Sequence, residues 1–355
     1  VTLPTHMKGI WLTRHGGPEA LEWRDDIAVP SPGPGQALAR VLAAGVNNTD
    51  INTRIGWYAS EVTGATEDVD QEVAAGGHAG AMQFPRIQGG DLCGRVVAVG
   101  DGVGPIVGTR ITSPINLPRP SDANSMTYIA LGSEVDGAFA QYCLVEVADI
   151  YDVTASPLSD VEIAAIPCAF GTAENLLTRA GVKAGQKVLI TGASGGVGLA
   201  AVQLAKLRGA EVTGQTAASK TDIVRAAGAA DILERGAAPA KASFDVVIDV
   251  VGGDVWPDLI RGLKPGGHYA VSGAIAGPMV NADLREIYLP DITIHGCTYQ
   301  PDEVFARLVD LMNAGEIKPL ISKTYPMQDI AIAQAEFMEK KLPGKLVLIP
   351  PQEAI

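Results

Sequence analysis

The pattern of apolar and polar positions changes character near residue 158. Before it, short apolar runs such as "QALARVLAAGV", "CGRVVAVG" and "GAFAQYCLVEV" lie between Gly- and Pro-rich turns, with no long helical period. That pattern predicts a mainly β domain. After it, the two periods alternate. Residues 187–191, 211–215, 244–251, 267–272 and 292–296 predict strands, and 196–208, 220–227 and 254–263 predict helices. The strands are almost continuously apolar ("FDVVIDVV"), as a parallel sheet covered on both faces requires. Beyond residue 301, Phe305, Leu308, Val309 and Met312 share one helical face, and Ile330, Ala333 and Phe337 another. The closing "GKLVLIP" predicts a strand returning to the first domain.

The chain has 355 residues, which suits two domains better than one core. Its formal charge of −13 argues against nucleic acid or an anionic membrane surface as a partner. No apolar run reaches the ~20 residues of a membrane span, and no signal-peptide pattern opens the chain. Met7 reads as a natural start, with residues 1–6 a loose extension. Four dispersed cysteines without a C-x-x-C pair suit reduced thiols, so a cytoplasmic setting is expected. Residues 59–83 are acidic and weakly periodic; they read as a surface insertion or as a lid over a substrate mouth.

The stretch "VLITGASGGVGLAAVQLA" carries the clearest chemistry. Gly192, Gly195 and Gly198 form G-x-x-G-x-x-G between a strand and an amphipathic helix, with Ser194, Gly196 and Val197 between them. The first glycine permits the turn, and the middle pair lets a diphosphate approach the backbone. Gly198 permits close helix–strand packing, and the helix N-terminus offers N–H groups to the phosphates. A dinucleotide site follows from that context. At the tip of the next strand, where an NAD site places an acid on the ribose, stand Gly214, Gln215 and Thr216, followed by Ser219 and Lys220. A hydroxyl and an ammonium suit a 2′-phosphate, so NADP(H) is the expected coenzyme. Ser219 capping a helix and Lys220 as a solvated charge are the plainer readings.

Together with "AAGVNNTD", "FPRIQGGDLCGRVVAVG", "DGAFAQYCLV", "FDVVIDVVGG", "LKPGGHYAVSG" and "GKLVLIP", in that order, these segments resemble the medium-chain dehydrogenase/reductase superfamily, and within it the zinc-independent quinone oxidoreductase branch. The resemblance covers nearly the whole chain. It implies a Rossmann-type doubly wound sheet (residues 158–300) inserted in a mainly β, GroES-like catalytic domain (1–157 and 301–355), with the active site in the cleft between them. It also implies a homodimer paired through the strand near "DITIHGCTYQ".

In the zinc enzymes of that superfamily the metal ligands align with Asn47, Gly90 and Cys168 of this chain. One thiol does not make a three-ligand site; His78 and His295 have no partner at ligand spacing, so no zinc is expected. The resemblance places Asn47 and Tyr58 by the nicotinamide, Asn47 to donate to a substrate carbonyl and Tyr58 to orient or protonate, with Asp50 fixing Asn47 or its turn. A turn role for Asn47 and packing beside Trp57 for Tyr58 are the alternatives. The matched motifs further imply Thr172 as a wall of the nicotinamide pocket, Val250, Val251 and Gly252 at the sheet's carboxyl edge, Ser272 and Gly273 along the ribose, and Lys345 as a coenzyme contact or a surface lysine. The function these readings imply is an NADPH-dependent, zinc-free reductase of quinones or α,β-unsaturated carbonyl compounds. A zinc-free alcohol or aldehyde dehydrogenase, an enoyl-thioester reductase, and a coenzyme-binding protein without turnover are the alternatives.

Overall fold

A computed structural model of the chain describes residues 3–59, 61–65 and 82–352. His78 and most of the 59–83 stretch lie outside them. The described residues form two compact units, one from those of Val1–Val62, Asp70–Cys168 and Pro301–Ile355, the other from those of Thr63–Val69 and Ala169–Gln300. The passage between the units falls after Cys168, ten residues beyond the change of pattern at residue 158. The later passage has a local cause: the short helix Asp160–Ile163 packs on strands Gln36–Val46 and Leu92–Val99 of the first unit.

In the first unit, strand Gln36–Val46 is the hub of a seven-stranded sheet. It pairs antiparallel with Leu92–Val99, Tyr142–Glu146 and the closing strand Lys345–Ile349. The last strand therefore returns to the first unit, as its sequence suggested. Leu38, Leu92, Ile111, Phe139 and Leu348 lie in one core with exposures of zero. The hub has four alanines and one glycine because its neighbours come close. A Cβ on Gly45 would stand 2.3 Å from Asp91 Oδ2 and 2.5 Å from the Ala164 carbonyl. Strand His6–Leu12 pairs with Leu21–Ala28, and the Val29 N–H donates to the Thr5 carbonyl, so Thr5 and His6 are not the loose extension expected of them.

In the second unit, six parallel strands stand in the order Asp231–Glu234, Glu211–Thr216, Lys187–Ile190, Phe244–Asp249, Leu263–Val271 and Thr293–Gly296. The chain starts in the middle of this sheet, runs to one edge, then returns and runs to the other. That reversal makes it doubly wound. Helix Gly196–Leu207 buries Leu199, Ala200, Val202 and Leu204. Two of the elements that the sequence pattern does not reveal bear on the site. Asp231–Glu234 is four residues with an acid at each end, so it carries little strand signal. Helix Pro167–Arg179 contains Gly171, which lowers its helical propensity. Gly171 is used for packing: a Cβ there would meet Gln300 Oε1 at 3.0 Å.

Candidate active site and coenzyme site

Asn47 precedes helix Asn48–Ile55 in extended conformation. Its backbone N–H donates to Asp50 Oδ2 at 2.8 Å, half of a capping box that fixes the first turn. Its side chain is 5 % exposed and fully engaged on one side. Nδ2 donates to Asp91 Oδ2 at 2.9 Å, and Oδ1 accepts from the Lys345 ammonium. Lys345 also donates to the Val46 carbonyl at 3.1 Å and to Asp91 Oδ2 at 2.9 Å. The ammonium and the carboxylate are 3 % and 0 % exposed. All three ammonium hydrogens are thus committed within the first unit. This corrects the reading of Lys345 as a surface lysine. Asp91 is completed by the Cys168 N–H, which donates to Oδ1 at 2.6 Å.

Asp50, buried beneath Asn47, has its carboxyl pushed up to about 7, first by burial and then by the neighbouring Asp91 charge. Tyr58 donates to Thr49 Oγ1 at 3.0 Å. Burial pushes its phenol up to about 12, so it is protonated near neutrality. Both hydroxyl residues are half-buried. Thr49, whose oxygen accepts from Tyr58, keeps its own O–H to donate; the sequence reading did not name it. Tyr58 does pack edge-on against Trp57, at 5.5 Å between ring centroids.

No group of three His, Cys, Asp or Glu able to hold a metal occurs among the described residues. At the positions where the zinc relatives carry ligands stand an amide tied to an ammonium, a glycine and one half-buried thiol. That donor set does not fit a zinc ion. His295 Nε2 lies 2.9 Å from His268 Nδ1 across adjacent strands, a hydrogen-bonded pair that no further ligand joins among the described residues. A groove of about 880 Å³ on the first unit, lined by Met7, Trp11, Leu117, Ile129 and Tyr142 among others, contains none of Asn47, Tyr58, Asp91 or Lys345.

In the second unit the glycine turn has the form its spacing suggested. Gly192 takes φ +56°, and a Cβ on Gly198 would fall 2.2 Å from the Gly192 carbonyl oxygen. A Cβ on Gly195 would meet only that oxygen, at 3.4 Å, so the backbone there is open on its outer side. The N-cap residue of helix Gly196–Leu207 is Gly195, which has no side chain to cap it. An uncapped twelve-residue helix beginning at an open glycine turn fits the diphosphate of a dinucleotide. Ser194 is buried, and Gly196 and Val197 half-buried. Val250 to Gly252 follow the neighbouring strand, Gly252 with φ +64°. Ser272 and Gly273 pack beside them, since the Ser272 N–H donates to the Asp249 carbonyl at 3.3 Å. Thr172 is half-buried on helix Pro167–Arg179.

At the tip of Glu211–Thr216, Ser219 is exposed and Lys220 half-buried. Ser219 does not cap the following helix, whose N-cap position is Lys220 without a side-chain bond. The Lys220 ammonium is held below its ordinary range by burial and then by Arg235. Arg235 reaches this place because its N–H donates to the Thr216 carbonyl at 2.8 Å, just after the edge strand that the sequence did not reveal.

Comparison with known proteins agrees with this construction. Residues 33–155 match the family model for the alcohol dehydrogenase GroES-like domain, and residues 196–314 that for zinc-binding dehydrogenase. The acryloyl-coenzyme A reductase of Metallosphaera sedula is 28 % identical, over 91 % of this chain and 95 % of its own. The quinone oxidoreductase of Homo sapiens is 26 % identical, over 97 % and 98 %. A solved Sinorhizobium meliloti 1021 structure, described only as a candidate alcohol dehydrogenase, is 37 % identical over 98 % of both chains, with a TM-score of 0.89. The chain belongs to the medium-chain dehydrogenase/reductase family, oxidoreductases that bind a nicotinamide coenzyme. The described residues contain no helix long and apolar enough to cross a membrane.

Proposed function

We propose that this oxidoreductase reduces quinones or α,β-unsaturated carbonyl compounds with NADPH and without zinc. The observation that carries the reading is the buried Lys345–Asn47–Asp91 arrangement, with an amide donor held where metal-dependent relatives have a ligand. The names of the relatives, a quinone reductase and an acryloyl-thioester reductase, support an electron-poor conjugated acceptor.

The residues in hand divide the work as follows. Gly192, Ser194, Gly195, Gly196, Val197 and Gly198 cradle the diphosphate; Ser219, Lys220 and Arg235 take the 2′-phosphate. Val250, Val251, Gly252, Ser272, Gly273 and Thr172 line the nicotinamide half. The bound coenzyme supplies a hydride. One Asn47 amide hydrogen is given to Asp91, and the second is left for the oxygen of the acceptor, where negative charge develops. Tyr58 and Thr49 form a hydroxyl pair that positions the acceptor and carries the proton balancing the hydride. Lys345 and Asp91 hold Asn47 and touch neither ligand.

A homodimer is part of the reading. Strand Thr293–Gly296 is an edge of its sheet, and Met279, Leu284, Tyr288, Leu289 and Ile294 are exposed near it in the chain.

Turnover of a quinone, an enone, an enoyl thioester and a simple ketone with NADPH and NADH tests the activity. Quinone or enone reduction surviving chelation, at a rate cut about 100-fold or more in Asn47→Ala, is expected. Lys220→Ala and Arg235→Ala should each weaken NADPH about tenfold or more and leave NADH unchanged. Thioester turnover above all others would move the substrate class toward that of the Metallosphaera relative. One zinc per chain required for turnover would overturn the zinc-free reading.

A further inference from the structure

Asp249 ends the strand Phe244–Asp249 and is fully buried. Its carboxylate is met by two hydroxyls and two backbone amides. Thr191 Oγ1 donates to Oδ1 at 2.6 Å, and Tyr269 Oη to Oδ2 at 2.5 Å. The Val251 N–H donates to Oδ1 at 2.8 Å, and the Gly252 N–H is shared by both oxygens at 3.3 and 3.2 Å. The Thr191 hydroxyl in turn accepts from the Val250 N–H at 3.2 Å. A desolvated carboxylate is costly unless its lone pairs are met, so these donors are held firmly.

The donors come from two places that matter. Thr191 is the residue before the Gly192 turn; Val250 to Gly252 are the turn after the neighbouring strand. The two turns touch: a Cβ on Gly192 would stand 3.3 Å from Val251 Cγ2 and 3.4 Å from Val250 Cγ2. Gly252 and Gly253, both at positive φ, have wide conformational freedom of their own. The bonds to Asp249 remove much of it. Tyr269 is suited to its part, because burial and then the Asp249 charge raise its phenol and keep it a donor.

We infer that Asp249, with Thr191 and Tyr269, is a positioning centre for the coenzyme: it fixes the spacing of the two turns that receive the dinucleotide, without touching it. A turn ordered in advance does not have to be ordered at binding. The inference rests on the family-level coenzyme site and not on the choice of NADPH or of substrate.

Binding of NADPH and NADH is measured by calorimetry, and amide exchange at residues 250–253 in coenzyme-free protein. Tyr269→Phe and Thr191→Val should each weaken both coenzymes by the same factor, about tenfold, and speed exchange at Val251 and Gly252. Thr191→Ser, which restores the hydroxyl, should bind like the native chain. Folded variants that bind within twofold of native, or that weaken only one coenzyme, overturn the inference. So does loss of the fold in both variants, which would make the centre structural only. A native chain that binds neither coenzyme overturns the coenzyme site itself.

Discussion

The Lys345 ammonium and the Asp91 carboxylate give a quantitative test of the first unit. They lie 2.9 Å apart and are 3 % and 0 % exposed, so neither is solvated. In Lys345→Met the shape of the stem is kept and the charge removed. Asp91 retains the Cys168 and Asn47 N–H groups and loses the ammonium, while the Val46 carbonyl and Asn47 Oδ1 lose the N–H groups that Lys345 gave them. Breaking one partner of a buried pair costs about 3–5 kcal/mol. Asp91→Leu removes the other charge and strands the ammonium at a similar cost. The double variant buries no lone charge, so its loss should fall short of the sum of the two by at least about 2 kcal/mol. Three of the four tryptophans, Trp11, Trp23 and Trp57, lie in this unit. Urea unfolding followed by their fluorescence therefore reports on it, with Trp256→Phe as a silent background for the other unit. A Lys345→Met loss under about 1 kcal/mol, or additivity within 0.5 kcal/mol, would refute the buried pair.

Two further predictions follow from the same geometry. Gly195→Ala places a Cβ in ordinary contact with one oxygen, so the melting temperature should hold while dinucleotide affinity falls at least tenfold; Gly198→Ala drives a Cβ to 2.2 Å from the Gly192 oxygen and should destabilise the second unit by about 1–3 kcal/mol. Equal melting temperatures for the two alanine variants would contradict this division of roles. Asp50 has a folded carboxyl raised from 3.8 to about 7, so its stabilising contribution is whole below about pH 4, falls as the pH climbs and is gone above about pH 7. Over that window the native chain should lose about 4 kcal/mol relative to Asp50→Asn, read as the difference of their urea stabilities at each pH. A difference that does not change with pH would refute the assignment.

The coenzyme turn was legible because all its signals are local: a strand, three glycines at fixed spacing and a helix, within some twenty residues. Asp50 was legible for a similar reason, three residues from the backbone it caps. Lys345 was not. Its partners Asp91 and Asn47 are 254 and 298 residues away, and only the return of the last strand against Gln36–Val46 brings them together. Nothing in "GKLVLIP" shows whether its lysine faces water or the inside of the sheet. Arg235 was invisible because it stands beyond a four-residue edge strand with too little periodicity to register. The Asp249 centre joins three strands in one parallel sheet, so its members are 58 and 20 residues apart and no short motif holds them.

Three of the buried aspartates, Asp50, Asp91 and Asp249, show why a lysine belongs beside Asn47. Asp50 meets burial by taking up a proton near neutrality, and Asp249 by collecting hydroxyl and amide donors. Asp91 alone of the three has an ammonium at ion-pair distance, and that ammonium also donates to Asn47 Oδ1. A cation on the oxygen of an amide draws electron density from its nitrogen and makes the N–H groups stronger donors, the more so in a desolvated place. The Asp91 carboxylate takes one of those N–H groups and fixes the plane of the amide. The other is left polarised and aimed by its neighbours. A neutral residue at position 345 could fill the volume, but it would leave Asn47 an ordinary amide. In the reaction proposed above, that charge acts through Asn47, whose polarised N–H meets the oxygen of the acceptor.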